Sequence, residues 1–73
     1  MVSEVFLRRM EEILEINANT LKENDKLSDL TEWDSMAVLG FIAMANNEWG
    51  VKIEVDDIGT CKSFSDLYNL LER

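Results

Sequence analysis

Apolar residues recur at helical spacing in three separate segments of this chain, and that pattern limits the fold more than any other feature of the sequence. In the first segment they lie three or four positions apart, so they share one face of a helix. These residues are Val2, Phe6, Met10, Ile13 and Leu14. On the solvent side, Arg8 is four residues from both Glu4 and Glu12 and can pair with them. The segment predicts an amphipathic first helix.

The segment 17–33 has no helical periodicity and is rich in asparagine, aspartate, lysine, serine and threonine. Apolar side chains still interrupt it at intervals. They are Leu21, Leu27, Leu30 and Trp33. A flexible linker has no need of such residues. We therefore expect an ordered loop that its apolar side chains hold against the core.

A second helix is predicted directly after this loop. Asp34 is a favourable N-cap, and the helix should run from Ser35 to about Trp49, with Gly50 as its C-terminal stop. Its sequence is almost uncharged. The inward stripe is predicted to consist of Val38, Ile42, Ala45 and Trp49, with Phe41 beside it.

The chain continues with an alternating segment and an acidic turn. Val51, Ile53 and Val55 alternate with charged residues, which is a strand pattern. A lone strand of this length would have no partner here, so we expect an extended connector. A short third helix is predicted at 56–58, and Gly59 limits it.

A final helix is predicted after Ser63, because Ser63 and Asp66 have the spacing of a capping box. Its apolar residues are Phe64, Leu67, Leu70 and Leu71. The sequence therefore predicts an all-α fold, a small bundle of three main helices and one short helix. It forms a single domain over residues 1–73, too small for a large core together with an elaborate active site.

Charge restricts the possible partners. The chain has 15 acidic and 7 basic residues and a net charge of −8. Such a field repels nucleic acid and anionic lipid and favours basic patches on other proteins. No stretch is long and apolar enough to span a bilayer, and no signal peptide opens the chain. We expect a monomeric cytoplasmic protein that does not insert into membranes.

The residues needed for catalysis are largely missing from the sequence. The chain has no histidine, which excludes Ser-His-Asp and Cys-His chemistry within it. The single cysteine, Cys61, can form neither an internal disulfide nor a metal cluster. We expect a protein that is not an enzyme and has no metal site.

The segment Asp34-Ser35-Met36 is the exception to this lack of chemistry. A serine that opens a helix presents its hydroxyl where backbone N–H groups and the helix dipole favour a negative group, such as a phosphate ester. Asp and Ser are also common at the start of any helix, so the pair alone is no evidence of a site.

The whole order of elements resembles the acyl carrier protein family over essentially the entire chain. Asp34-Ser35-Met36 is similar to the family motif Asp-Ser-Leu, with one conservative change. Gly50-Val51-Lys52-Ile53 resembles the family segment Gly-Ile-Glu-Ile, and Asp56-Asp57 resembles its acidic third helix.

This resemblance implies the four-helix carrier-protein bundle and a cofactor. Ser35 would carry 4′-phosphopantetheine through a phosphodiester, and the terminal thiol of that arm would hold an acyl group as a thioester. Asp34 and Met36 would flank the attachment point. An apolar pocket for the arm or its cargo is expected from Val51, Ile53 and Cys61.

The resemblance also implies partners. A phosphopantetheinyl transferase would attach the arm, other enzymes would load and transfer acyl or aminoacyl groups, and the second helix would be the main docking surface. Its expected partner-binding residues are Met36, Leu39, Gly40, Ala43, Asn46 and Asn47. Related fatty-acid carriers present several acids there, whereas Glu48 is the only charged residue between Ser35 and Gly50. This departure suggests a specialised pathway.

Two alternatives remain at this point. An aminoacyl, peptidyl or D-alanyl carrier protein would use the same mechanism with a different cargo. A plain helical adaptor, which binds a partner through its second helix and is never modified, would belong to a different class.

Overall fold

The computed structural model describes residues 2–72 and consists of four α-helices and a short 3-10 turn. No strand occurs in this part of the chain. The elements are α1 (Glu4–Leu14), the 3-10 turn (Leu27–Asp29), α2 (Ser35–Trp49), α3 (Val55–Ile58) and α4 (Phe64–Glu72). The predicted all-α fold is confirmed.

Helix α1 buries most of the face that its apolar spacing predicts, but Val2 lies before the helix, and Val2 and Ile13 are only half-buried. Phe6, Met10 and Leu14 are buried, and the helix ends where Glu15 adopts a left-handed conformation with φ of 58°. Arg8 contacts Glu4 at 3.2 Å, as expected. The pairing of Arg8 with Glu12 is wrong: Arg9 Nη1 contacts Glu12 Oε1 at 2.5 Å instead.

The core centres on Phe6, which has no exposed surface. Its ring lies 6.3 Å from that of Phe41, 6.2 Å from that of Trp49 and 5.2 Å from that of Tyr68. The first two rings belong to α2 and the third to α4. One aromatic cluster therefore connects three helices, and its ring spacings suit edge-to-face contact.

The predicted buried face of α2 is only partly right. Phe41 lies at the centre of the buried face, rather than at its side. The other buried residues of α2 are Ala37, Met44 and Ala45, while Val38, Ile42 and Trp49 are half-buried against the core. Because this helix is apolar on almost every side, the packing of α1 and α4 decides which residues are covered.

The long loop between α1 and α2 is ordered as predicted. Leu21 and Leu27 are buried, and Leu30 and Trp33 pack half-buried against the core. Trp33 is a loop anchor, since its ring lies 6.2 Å from that of Phe64 in an edge-to-face arrangement.

A buried carboxylate also holds this loop, which the sequence pattern did not reveal. Glu11 is only 2% exposed. It accepts hydrogen bonds from the backbone N–H groups of Asn19, Thr20 and Leu21 at 3.0, 2.9 and 2.8 Å. Arg8 Nε lies 2.9 Å from the same carboxylate. The start of the loop is thus tied to α1 by charge-assisted hydrogen bonds.

The C-terminal elements follow the predicted capping pattern. The segment before α3 is extended, with Ile53 buried. Asp66 accepts from the N–H of Ser63 at 3.2 Å, and Ser63 Oγ accepts from the N–H of Asp66 at 3.3 Å. This confirms the capping box. Hydrogen bonds from the N–H groups of Lys62 and Ser63 hold the pKa of Asp66 below its usual value.

Candidate functional site

The N-terminus of α2 is capped by Asp34, not by the serine that follows it. Asp34 Oδ1 accepts a hydrogen bond from the N–H of Ala37 at 3.0 Å, and its carbonyl oxygen accepts from Val38 at 3.0 Å. This is standard N-cap geometry. Ser35 is therefore the first residue of the helix, and its hydroxyl is not needed for capping.

The hydroxyl of Ser35 is exposed and available for chemistry. Within residues 2–72, no hydrogen bond engages Ser35 Oγ or the N–H groups of Ser35 and Met36. These N–H groups belong to the first turn, where the helix dipole favours an anion. A phosphate ester on Ser35 would lie close to N–H groups that are still free to donate hydrogen bonds to it.

Few other serines of the described chain have this exposure. Ser3, Ser63 and Ser65 are half-buried, and Ser63 is used as the cap of α4. Ser28 is exposed, but it lies in the 3-10 turn and not at the start of a long helix. Ser28 is the natural comparison for Ser35 in any test of modification.

An apolar cavity lies close to the start of α2, although Ser35 itself does not line it. Its volume is about 620 Å³, and Trp33 and Val38, which flank Ser35 in the sequence, contribute to its wall. Its full lining is Lys26, Leu27, Ser28, Trp33, Val38, Val55, Ile58, Gly59, Cys61 and Lys62. The loop, α2, α3 and the segment before α4 therefore all meet at this cavity.

The predicted pocket residues are not all brought together. Cys61 lines the cavity, whereas Val51 and Ile53 do not. Ile53 turns into the core and is 3% exposed, because the connector is extended and alternates between core and solvent. Val55 and Ile58 line the cavity instead, since α3 begins at Val55 rather than at Asp56. Val55 and Ile58 are three positions apart, so they share one face of a helix, and this spacing could have predicted from the sequence that they lie together.

The outer face of α2 is apolar and uncharged, with one correction to its predicted membership. Met36 is 74% exposed and Leu39 is 59% exposed. Ala43, Asn46 and Asn47 are also exposed. Gly40 does not belong to this face. It is half-buried, and a Cβ at this position would lie 2.9 Å from Ile13 Cγ2, so the glycine allows α1 and α2 to approach closely.

The one charged residue of α2 is engaged with α1. Arg9 Nε donates to Glu48 Oε2 at 3.0 Å, and Arg9 Nη2 contacts the same oxygen. The hydrogen bond and the negative charge of Glu48 raise the pKa of the Arg9 guanidinium. Glu48 therefore adds little free negative charge to the outer face.

Acidic charge is concentrated instead at the start of α2. A second cavity, of about 490 Å³, is lined by Glu15, Glu32 and Asp34 together with Met36. This places three carboxylates around the exposed methionine that follows Ser35. The position differs from the middle of α2, where no such group occurs.

Comparison with known proteins decides the family. The family model described as "Phosphopantetheine attachment site" matches residues 4–71. The chain belongs to the phosphopantetheine attachment site family. This confirms the resemblance to acyl carrier proteins and makes the chain a carrier of 4′-phosphopantetheine, which the family holds covalently on a serine. No curated protein and no solved structure gave a significant match.

The residues at the start of α2 fit this cofactor. A phosphopantetheine-binding site needs an exposed hydroxyl, donors for a phosphate and space beside it. Ser35 would supply the hydroxyl, the first-turn N–H groups would supply donors, and the cavity beside Val38 would supply an apolar space. Phosphopantetheine attachment site proteins interact with transferases and biosynthetic enzymes. None of the described helices is long and apolar enough to cross a membrane.

Proposed function

We propose that this chain is an acyl carrier protein of a specialised pathway and that Ser35 is its attachment residue. The observation that carries the proposal is the exposed Ser35 hydroxyl at the first position of α2, with Asp34 already acting as the cap. The family match supports it, since it covers this segment.

The residues around Ser35 have separate roles in this proposal. Once attached, the phosphopantetheine arm supplies a terminal thiol that holds an acyl group as a thioester. Asp34 fixes the first turn of α2, and the N–H groups of Ser35 and Met36 would donate to the phosphate. Trp33 and Val38 shelter the apolar part of the cargo from water.

Partner enzymes would recognise the start of α2 and its neutral outer face. A phosphopantetheinyl transferase loads the arm from coenzyme A, and other enzymes load and unload the cargo. Met36, Leu39 and Ala43 offer apolar contact, while Glu15 and Glu32 attract basic patches and speed the encounter. A partner set adapted to a neutral helix fits a specialised pathway better than general fatty-acid synthesis.

Intact-mass measurement after incubation with coenzyme A and a broad-specificity transferase tests the function. We expect a gain equal to one phosphopantetheine and a modified peptide that contains residues 31–36. No gain would favour an unmodified adaptor and would overturn the carrier proposal. The mass of the group on protein isolated from its own host then distinguishes an acyl from an aminoacyl or D-alanyl cargo.

Adding acidic residues to α2 should change its choice of partner. We expect Asn46→Glu with Asn47→Glu to raise use of the loaded protein by fatty-acid elongation enzymes several-fold, because both side chains are exposed on the outer face. Turnover by such an enzyme and binding to the native partner are the measurements. Asn24→Glu with Asn69→Glu adds the same charge at exposed positions outside α2 and is the control. Efficient elongation with the unaltered protein would contradict the specialised assignment.

Replacing Cys61 should leave the carrier function intact. Cys61 Sγ lies 3.6 Å from the carbonyl oxygen of Asp57, a position that a serine hydroxyl can also use. We expect Cys61→Ser to accept the arm and hold cargo normally, and to lose about 1 kcal/mol of stability because a hydroxyl enters an apolar wall. Loading is followed by intact mass and stability by urea unfolding. Loss of acyl loading in a folded Cys61→Ser protein would show that the reactive sulfur belongs to this chain.

A further inference from the structure

The cavity close to Ser35 has a charge opposite to that of the protein. The chain has 15 acidic and 7 basic residues, yet the cavity lining contains two lysines, Lys26 and Lys62, and no acid. The cavity of about 490 Å³ next to Met36 has the reverse composition, with Glu15, Glu32 and Asp34 and no basic residue in its wall. A third cavity contains Arg8 and Lys22, but with Glu4 and Glu23, so the apolar cavity differs from it in having basic residues and no acid in its wall.

Backbone hydrogen bonds hold the two lysines at the same place. The N–H of Leu27 donates to the carbonyl oxygen of Lys62 at 2.9 Å. Lys26 forms an isolated antiparallel bridge with Ser63. The segment before the 3-10 turn and the segment before α4 thus run side by side, and each contributes one lysine to the lining.

Both ammonium groups are available to a ligand. Lys26 and Lys62 are exposed, and the ion pairs found within residues 2–72 all use Arg8 or Arg9. The positive charge of Lys62 interacts with Asp66 and helps to lower the pKa of its carboxyl group. Its carboxylate already accepts from the backbone N–H groups of Lys62 and Ser63, at 2.9 and 3.2 Å, as part of the cap of α4.

The remaining wall is apolar. Trp33, Val38, Val55 and Ile58 belong to it. A ligand that suits this cavity has an apolar body and an anionic end, since burial of the chain favours binding and the ammonium groups compensate the carboxylate for lost water contacts. A plain fatty acyl chain would leave the two lysines without a function.

We propose that the cargo of this carrier is an acyl group whose far end bears a carboxylate, which Lys26 and Lys62 bind at the cavity. The proposal rests on the proposed attachment at Ser35. The arm's own phosphate is a less suitable ligand for these lysines. It would be attached at the start of α2, close to the first-turn N–H groups, whereas the lysines belong to two other segments of the chain.

Matched cargoes test this inference. The transferase is used to load the arm alone, hexanoyl, adipoyl or the methyl ester of adipoyl, and intact mass verifies each product. We expect the adipoyl form to melt about 2–4 °C above its methyl ester, as an exposed ion pair in a domain of this size would give. The difference should shrink as sodium chloride is added, since salt screens exposed charges.

Lysine variants identify the binding groups. In the double variant Lys26→Met with Lys62→Met, the difference in melting temperature between the adipoyl form and its methyl ester should disappear. The effect of hexanoyl on the melting temperature should remain. Lys22→Met with Lys52→Met removes the same charge from the other two lysines of the chain and should preserve the difference. The proposal would be overturned if this difference in melting temperature were lost equally in both double variants. The proposal would also be overturned if the melting temperature of the protein carrying the arm alone depended equally on Lys26 and Lys62. The lysines would then be assigned to binding the phosphate.

The same experiment separates this inference from the proposed function. A gain in mass without any cargo-dependent shift in melting temperature supports attachment and overturns the anionic cargo. Absence of any gain in mass overturns both.

Discussion

Ser35→Ala should abolish loading with phosphopantetheine completely while leaving the helix content and melting temperature almost unchanged. The hydroxyl is exposed at the first position of α2, and Asp34 provides the cap that holds this turn. Removing a surface hydroxyl that makes no hydrogen bond within residues 2–72 should change the free energy of unfolding by no more than about 0.5 kcal/mol. Intact mass and circular dichroism measure the two effects.

Ser28→Ala is the matched control for this prediction. Ser28 is also exposed and lines the cavity close to Ser35, but it does not lie at the start of a long helix. It therefore tests whether exposure of a serine is sufficient for modification. Loading of Ser28→Ala should equal that of the unaltered protein. Continued modification of Ser35→Ala, or its loss in Ser28→Ala, would show that the attachment residue has been assigned incorrectly.

Glu11→Ala should cause the largest loss of stability among single substitutions of the charged residues within residues 2–72. The carboxylate is buried and accepts from the backbone N–H groups of Asn19, Thr20 and Leu21. Alanine would leave these donors without their acceptor and Arg8 without its buried partner. We expect a loss of about 3 kcal/mol or more. The melting temperature should fall by about 12 °C or more.

Glu12→Ala controls for the change in charge and helix propensity. Glu12 is the next residue of α1, it is exposed, and it contacts Arg9 at the surface. Its substitution should cost no more than about 0.5–1 kcal/mol, as for an exposed ion pair. Urea unfolding of both variants gives the comparison. Equal losses would mean that the loop does not depend on the buried carboxylate.

The stability contributed by Glu11 should also depend on pH. Burial raises the pKa of Glu11, but the N–H groups of Leu21 and Asn19, the charge of Arg8 and the N–H of Thr20 together outweigh it, so the pKa lies below its ordinary value of 4.5. A carboxyl with a lowered pKa in the folded state stabilises the fold above that ordinary value. This contribution is lost as the pH falls through the lowered pKa.

Glu11→Gln separates this pH dependence from that of the other acids. The amide keeps the size of the side chain but has no charge to lose. The difference in unfolding free energy between the unaltered protein and Glu11→Gln should therefore be constant above pH 4.5 and should shrink on acidification below it. A difference that does not change with pH would contradict the assignment.

Periodicity and capping residues were enough to predict the helices. The start of α2 at Ser35, its end before Gly50 and the capping box at Ser63 are all consequences of local backbone chemistry. The same local reasoning places an exposed hydroxyl at a helix N-terminus. Its interpretation as an attachment residue also needed the resemblance over the whole chain, because an Asp-Ser pair occurs at the start of many helices.

Features that depend on contacts between distant segments could not be predicted in this way. Glu11 has the spacing of an ordinary surface residue of α1, and only the return of the loop at Asn19 to Leu21 buries it. Gly40 seemed to lie on an outer face, but α1 packs against it at Ile13. In each case, the second partner lies at least eight residues away along the chain.

The sequence by itself determined the helices, the caps and the position of the Ser35 hydroxyl, because each depends on residues within one or two turns of helix. Only the tertiary structure decided which side of the apolar helix α2 is buried and which residues line the cavity. Lys26 and Lys62 are 36 positions apart in the sequence. They meet at one cavity because the loop and the segment before α4 are hydrogen-bonded to each other, and no local pattern encodes that contact.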